Sequence, residues 1–200
     1  GTSKNRGQKF SSPHPHNSGH TCMTDVVIPA WVNGTLHPVE KLEAHKRGLK
    51  HKAVSVFVIA GNAVLIQQRA AHKYHTPRLW ANTCCTHPKW DEAPKTCAVR
   101  RLNDELGMTD LRPQHRGTVE YRADVGGGLI EHEVVEVYLA QTTRTHKIHP
   151  NPEEVMATRW VEYEQLIKEV RATPEHFTPW LSIYLEKHSD LIFGITVVAQ

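Results

Sequence analysis

The run Ala-Val-Ser-Val-Phe-Val-Ile at Ala53 to Ile59 constrains the fold more than any other stretch of the chain. It is β-branched and almost wholly apolar, and a strand presents alternate residues to opposite faces, so it has no face to give to water. It predicts a central strand covered on both sides. Ala60-Gly61-Asn62 turns the chain into a second strand, Ala63 to Arg69. His51 therefore stands at the entrance of the first strand and Arg69 at the exit of the second.

A chain of 200 residues, 39% hydrophobic and 22% charged, suits one globular domain with a sizeable core. The formal charge of +3 is small and its basic residues are evenly spread, which argues against a nucleic-acid or membrane surface. Four cysteines, two of them adjacent, read as reduced thiols and not as a disulfide framework. No apolar run approaches the ~20 residues of a membrane span, and the N-terminus lacks an apolar core resembling a secretory signal, so the expected compartment is the cytoplasm. The unusual count is 15 histidines, which favours a metal site without locating it.

Residues 1–22 are rich in Gly, Ser, Asn, Pro, Lys and His and hold only Phe10 as a large apolar anchor. This predicts a disordered tail that need not be native, with Met23 available as a native start. His14, His16 and His20 are set aside as tail residues. The domain is expected over 23–190, with 191–200 a C-terminal segment whose apolar residues Ile192 to Ala199 read equally as a terminal strand or a frayed docking segment. Val26 to Val32 is a short strand with Pro29 in it, Asn33-Gly34 a turn, and Val39 to Arg47 a short helix closed by Gly48. Arg116 to Ala123 and Arg159 to Glu162 read as strands, and Tyr163 to Val170 and Phe177 to His188 as helices.

Three stretches carry chemistry. In Trp80-Ala81-Asn82-Thr83-Cys84-Cys85-Thr86-His87-Pro88, a thiol and an imidazole at i and i+2 point the same way if the backbone is extended. A thiol beside an imidazole or a metal is expected to have a lowered pKa and to serve as proton donor, acceptor or nucleophile. The bland alternative is a pair of small buried hydrophobes beside a loop histidine. Pro94 to Leu106 has helical spacing, with Val99, Leu102 and Leu106 on one face and Arg101 and Glu105 together on another; by itself that pair reads as a solvated ion pair. In the strand Leu129 to Ala140 the odd positions share a face, so Glu131 and Glu133 open the face that Val135, Val137 and Leu139 turn to the core. Carboxylates turned inward are costly unless paired, protonated or bound to metal. Glu136 points the other way.

His45, His51 and His87 with Glu131 and Glu133 lie at element ends that could converge. Such nitrogen and oxygen donors suit six-coordinate Mn²⁺, Mg²⁺ or Fe²⁺, and also Zn²⁺.

Together the His45/His51 pair, Trp80-x-Asn-x-x-Cys-x-His-Pro88, Arg100-Arg101-Leu-x-x-Glu105-Leu-Gly107, Tyr121-Arg122-Ala123, Glu131-His-Glu133-Val and Phe177-Thr-Pro-Trp180 resemble, in order, the type 1 isopentenyl-diphosphate isomerases, a Nudix-fold family. The resemblance spans residues 28 to 185. Hydrolytic Nudix enzymes carry G-x5-E-x7-R-E-U-x-E-E-x-G-U, whose glutamates hold the metal that activates water. Laid from Thr86 through Glu92 to Met108, this sequence has Thr86 at the first Gly, Arg101 at the helix's first Glu and Asp104-Glu105 at the pair. A guanidinium in place of a metal-binding carboxylate disfavours hydrolysis and suits a diphosphate.

The resemblance implies a Nudix-type α/β/α sandwich with mixed β-sheets flanked by helices. It implies the reversible 1,3-allylic conversion of isopentenyl diphosphate to dimethylallyl diphosphate, which protonates an unactivated alkene and removes a proton elsewhere in a water-poor pocket. By resemblance Cys85 and Glu133 transfer the protons, Tyr121 assists, and Trp160 lays its π face against the cation. Mn²⁺ or Zn²⁺ sits at His45, His51, His87, Glu131 and Glu133. Lys41, Arg69, Lys73 and Arg101 bind the diphosphate, with Mg²⁺ on Glu105 and the backbone carbonyl of Cys85. The implied partner is the small-molecule substrate alone, for a monomer or weak dimer, without nucleic acid or membrane. The rival readings are a Nudix hydrolase of a nucleoside diphosphate derivative and a zinc module built on Cys84, Cys85 and His87.

Overall fold

A computed structural model describes residues 26–194; the expectations for residues 1–22 and for the apolar residues after Gly194 lie outside them, whereas Ile192 and Phe193 finish the helix Ser189–Phe193, and not the terminal strand that is one of their two readings. The chain opens with a hairpin, β1 (Val27–Val32) and β2 (Thr35–Glu40), turned at Asn33 and Gly34 with φ of 51° and 81°. Two successive positive φ values make the turn that matches strand twist, which is why Asn-Gly occupies it. Pro29 and Pro38 face each other across this hairpin. Helix α1 (Lys41–Arg47) starts two residues later than the sequence suggests, because Val39 and Glu40 finish β2. The Glu40 carboxylate caps it by accepting from the Leu42 and Glu43 amides at 2.8 Å, and Gly48 closes it at φ 60°.

The expected central strand is β3 (Lys50–Ala60). One edge pairs in parallel with β8 (Ile130–Gln141) over ten positions. The other meets β1, β6 (Cys84–Thr86) and β4 (Ala63–Arg69) in turn. β4 continues to β5 (Trp80–Ala81) and β9 (Val155–Glu162), and β8 to β7 (Gln114–Asp124), which makes one mixed sheet of nine strands among the described residues.

Both faces of β3 are covered. Ala53 and Phe57 pack with Val135, Val137 and Leu139 beneath α3 (Tyr163–Ala172), α4 (Pro179–Lys187) and α5 (Ser189–Phe193). Val54, Val56 and Val58 pack beneath α2 (Pro94–Leu106). This is the α/β/α layering the sequence resemblance implies. On α2 the buried face is Cys97, Ala98, Leu102 and Leu106, whereas Val99 is 45% exposed. Val99 is therefore not part of the apolar stripe expected for it: it lies one position beyond Ala98, about 100° around the helix. Phe177 precedes α4 in extended backbone, and Leu129 precedes β8. Among the described residues no helix is long and apolar enough to cross a membrane.

Candidate active site

The register of β3 gathers the site. His51 pairs with Glu133 across the β8 edge, and Ser55 pairs with Cys85 across the β6 edge. Paired residues share a face, so Cys85, His51, Glu133 and Glu131 all lie on the α3/α4 side, brought there by strands on opposite flanks of β3. Cys84, one residue away, faces α2 and is fully buried. Alternation thus separates two adjacent thiols that the sequence could not tell apart by type.

His45, His51, His87 and Glu133 bring one ligand atom each to within 4.8 Å of one another. The Nδ1 atoms of His45 and His51 lie 2.7 Å from the carbonyls of Lys41 and Leu49. A carbonyl only accepts, so each Nδ1 carries its proton and each Nε2 turns a lone pair inward. Both Nε2 atoms are buried without a hydrogen-bond partner. His51 Nε2 faces Glu133 Oε1 at 3.5 Å, two acceptors opposed across a gap that suits a cation. His87 Nε2 is 2.9 Å from the same oxygen, and its Nδ1 is buried without a partner. Burial, with the neighbouring His51, lowers the His45 pKa to about 4, and burial holds His87 well below the usual range. Neutral imidazoles and a carboxylate are the forms that bind metal. The described residues thus contain a group that could hold a divalent ion.

Glu131 stands apart from this foursome and groups with His45 and His75. The expected five-residue set is therefore divided in the structure. Tyr121 Oη is 2.9 Å from Glu131 Oε2 and 2.7 Å from Glu133 Oε2. One phenol proton serves one carboxylate, so the second contact needs a proton on the carboxyl group. Burial and the charge of Glu133 push the Glu131 carboxyl well above its usual range. Burial opposes ionisation of Glu133 too, but contacts from His51 and His87 hold it well below. The arrangement is a neutral Glu131 giving to Tyr121 and Tyr121 giving to an ionised Glu133.

The Cys85 thiol departs from expectation. Burial and the charge of Glu133 push it well above the usual thiol range, so it is a protonated S–H at neutral pH. The ionised Glu133 outweighs His87 because that imidazole is neutral.

Lys41, Arg69, Lys73 and Arg101 line a single cavity of about 290 Å³ together with Cys85, His87, Glu105, Glu131 and Glu133. Burial and the charges of Lys73, Arg69 and Arg101 lower the Lys41 ammonium to about 8. Cations close enough to depress one another make an anion receptor. Lys73 is ion-paired with Glu154, while Arg101 reaches Glu105 at 2.7 Å and Glu154 at 3.3 Å. Glu105, 4% exposed, also accepts from Gln67 at 2.9 Å and from the Cys84 thiol at 3.4 Å. The Arg101/Glu105 pair is thus not the solvated pair its spacing suggests. Glu92 and Arg100 form a bidentate pair at 2.6 and 2.8 Å that ties the loop before α2 to the helix.

Trp160 does not line the cavity. It pairs with Leu65 across β4 and β9 and packs with Leu65 on the α2 side, the sheet face opposite Glu133. Trp180 lines the cavity instead, 1% exposed, with its Nε1 giving to Asn82 Oδ1 at 3.2 Å and Arg69 over its ring at 5.3 Å. The Phe-Thr-Pro-Trp motif contains this residue, whereas the role that the resemblance gives to a tryptophan is placed on Trp160, which the structure turns away. Tyr74, His75, Gln67 and Glu154 also line the cavity, and no motif spacing in the sequence marks them. His75, two residues past Lys73, offered a signal of residue type only.

The NUDIX domain family matches residues 49–181. An isopentenyl-diphosphate Delta-isomerase of Roseobacter denitrificans is 64% identical over 169 residues, covering 84% of this chain and 96% of its own length. One from Cereibacter sphaeroides is 62% identical over 174 residues, covering 87% and 98%. Among solved structures, a Deinococcus radiodurans protein aligns with TM-score 0.63 at 13% identity, covering 80% of this chain and 97% of its own. A MutT NUDIX hydrolase from Burkholderia pseudomallei aligns with TM-score 0.55 at 21% identity, covering 70% and 98%. The structural likenesses speak to the fold, and the sequence relatives to the family: the chain belongs to the isopentenyl-diphosphate Delta-isomerases of the NUDIX domain family.

Proposed function

We propose that this chain interconverts isopentenyl and dimethylallyl diphosphate with Cys85 and Glu133 as its two proton-transfer groups. One adds a proton to the terminal alkene carbon C4, leaving a tertiary cation at C3; the other removes a proton from C2, closing the new double bond. Because the reaction is reversible, each group serves as donor in one direction and acceptor in the other. The observation that carries this reading is that the two side chains reach one cavity from opposite flanks of β3 while sharing a sheet face. Tyr121, touching both carboxyl groups, passes the proton that Glu133 gains or loses. Trp180, in the role sequence resemblance lent to Trp160, offers its π face to the cation; such a contact contributes ~2 kcal/mol when desolvated.

Lys41, Arg69, Lys73 and Arg101 bind the diphosphate and orient C2 and C4. His45, His51, His87, Glu131 and Glu133 hold Mn²⁺ or Zn²⁺, and Glu105 with the Cys85 carbonyl takes the Mg²⁺ that accompanies the diphosphate. A bound divalent ion supplies fixed positive charge that tunes the Glu133 carboxyl and offsets the phosphate charge. The free thiols of Cys84, Cys85 and Cys97 suit a reducing compartment and support a cytoplasmic placement, as a monomer or weak dimer.

Incubation with isopentenyl diphosphate tests the reading: the allylic isomer is expected, with phosphate retained. Release of phosphate would favour the hydrolase, and recovery of unchanged substrate with metal and Mg²⁺ present would reject isomerisation by this chain.

A further inference from the structure

His75 is buried at the wall of the cavity, and neither the expected ligand set nor the proton-transfer groups employ it. Its Nδ1 is engaged by Thr76 Oγ1 at 3.0 Å, and its Nε2 faces Glu131 Oε1 at 3.6 Å. That gap is longer than the ~2.7–3.2 Å of an N–H···O bond. It is close to the ~3.4 Å between two ligands on one tetrahedral ion with bonds of ~2.1 Å. The 3.5 Å gap from His51 Nε2 to Glu133 Oε1 has the same character. His45, whose free Nε2 belongs to the first group, also belongs to the second: His45, His75 and Glu131 each bring a ligand atom to within 4.8 Å of the others, and all three are buried. The rings of His45 and His75 lie 5.5 Å apart and nearly parallel, at 25°.

The loop that carries His75 is held in place at a backbone cost. Thr76 is β-branched yet has φ of 45°, a conformation such residues rarely adopt. Arg69 keeps it there, with Nε giving to the Thr76 carbonyl at 3.2 Å and Nη2 to the His75 carbonyl at 3.3 Å. The same guanidinium that faces the diphosphate end therefore fixes the imidazole.

We propose that His75 is a metal ligand, and that His45, His75 and Glu131 make a second seat for the divalent ion beside the His45/His51/His87/Glu133 seat. His45 has one free nitrogen, so the two seats hold one ion between them. The inference explains why Glu131 groups with His45 and His75 and not with His51, His87 and Glu133, and it rests on the reading of the first group as an ion site.

Titration of the metal-stripped full chain with Co²⁺, followed by its visible absorption and by a competing chelator, tests both. The wild type should bind one ion at the cluster. His75→Leu and His75→Gln, each checked for native circular dichroism, should weaken Co²⁺ by about 10-fold or more and alter the absorption bands. His51→Leu should keep a weakened ion with altered bands, and removing His51 and His75 together should abolish tight binding. If both His75 variants match the wild type in affinity and spectrum while His51→Leu loses the ion, the second seat is refuted and the first stands. If the wild type itself fails to hold Co²⁺, both fall.

Discussion

Replacing Glu133 by Gln probes the site where its contacts are densest. The carboxylate meets His87 Nε2 at 2.9 Å and His51 Nε2 at 3.5 Å through one oxygen, and accepts from Tyr121 at 2.7 Å through the other. Glutamine keeps the volume but offers one acceptor and one NH₂. With its oxygen toward Tyr121 the amide keeps that contact and turns its NH₂ to the lone pair of His51 Nε2, so the buried contact that is lost is the one from His87 Nε2, at about 1–3 kcal/mol. For a domain of this size that lowers Tm by roughly 2–10 °C. Rate suffers more: removing a positioned acid–base group costs about 10²–10⁴-fold, and weaker metal adds to this at subsaturating ion. The assay is allylic product formed from isopentenyl diphosphate, with bound metal measured on the same sample. Glu136→Gln is the control, since Glu136 lies on the opposite face and accepts from Thr118 at 3.0 Å in an exposed pair; it should stay within about 0.5 kcal/mol, a factor near 2. A metal-loaded Glu133→Gln enzyme with more than about a tenth of wild-type activity would refute the acid–base role, given the range above.

Trp180→Phe should slow turnover about 10-fold or more if its π face stabilises the cation, whereas Trp160→Phe should change stability and leave steady-state kinetics near wild type. Cys85→Ala should abolish turnover with metal content intact, while Cys84→Ala, whose thiol only packs beneath α2 and gives to Glu105, should cost about 1–2 kcal/mol of stability and little activity; equal loss in both would overturn the assignment. Lys41 yields a pH prediction. Its pKa is lowered from 10.5 to about 8, so between these values the unfolded chain holds a proton the folded one lacks, and this group's contribution to stability rises with pH there. A diphosphate favours the charged form, so its binding takes up a proton in that window. Inhibition by inorganic diphosphate should weaken as pH rises above about 8, by up to about 10-fold per unit, and Lys41→Met should flatten that slope.

What sequence determined was local and periodic. The apolar run at Ala53–Ile59 fixed a central strand covered on both faces, since no alternation was left for water, and Ala63–Arg69 and Pro94–Leu106 were legible to the residue. Odd spacing put Glu131 and Glu133 on one inward face, and ordered motifs named the family. What tertiary structure decided was everything that depends on which strands become neighbours. The parallel pairing of β3 with β8 set His51 against Glu133, and β6 on the other flank set Cys85 on the same face. The sign of the Cys85 shift followed from those neighbours, because a thiol's pKa depends on nearby charge and burial, which chain distance does not encode. The exchange of Trp160 for Trp180 came from the same source: Trp160 is turned away by its pairing with Leu65, and Trp180 is delivered to the cavity from a helix ninety-eight residues past the Asn82 that anchors it.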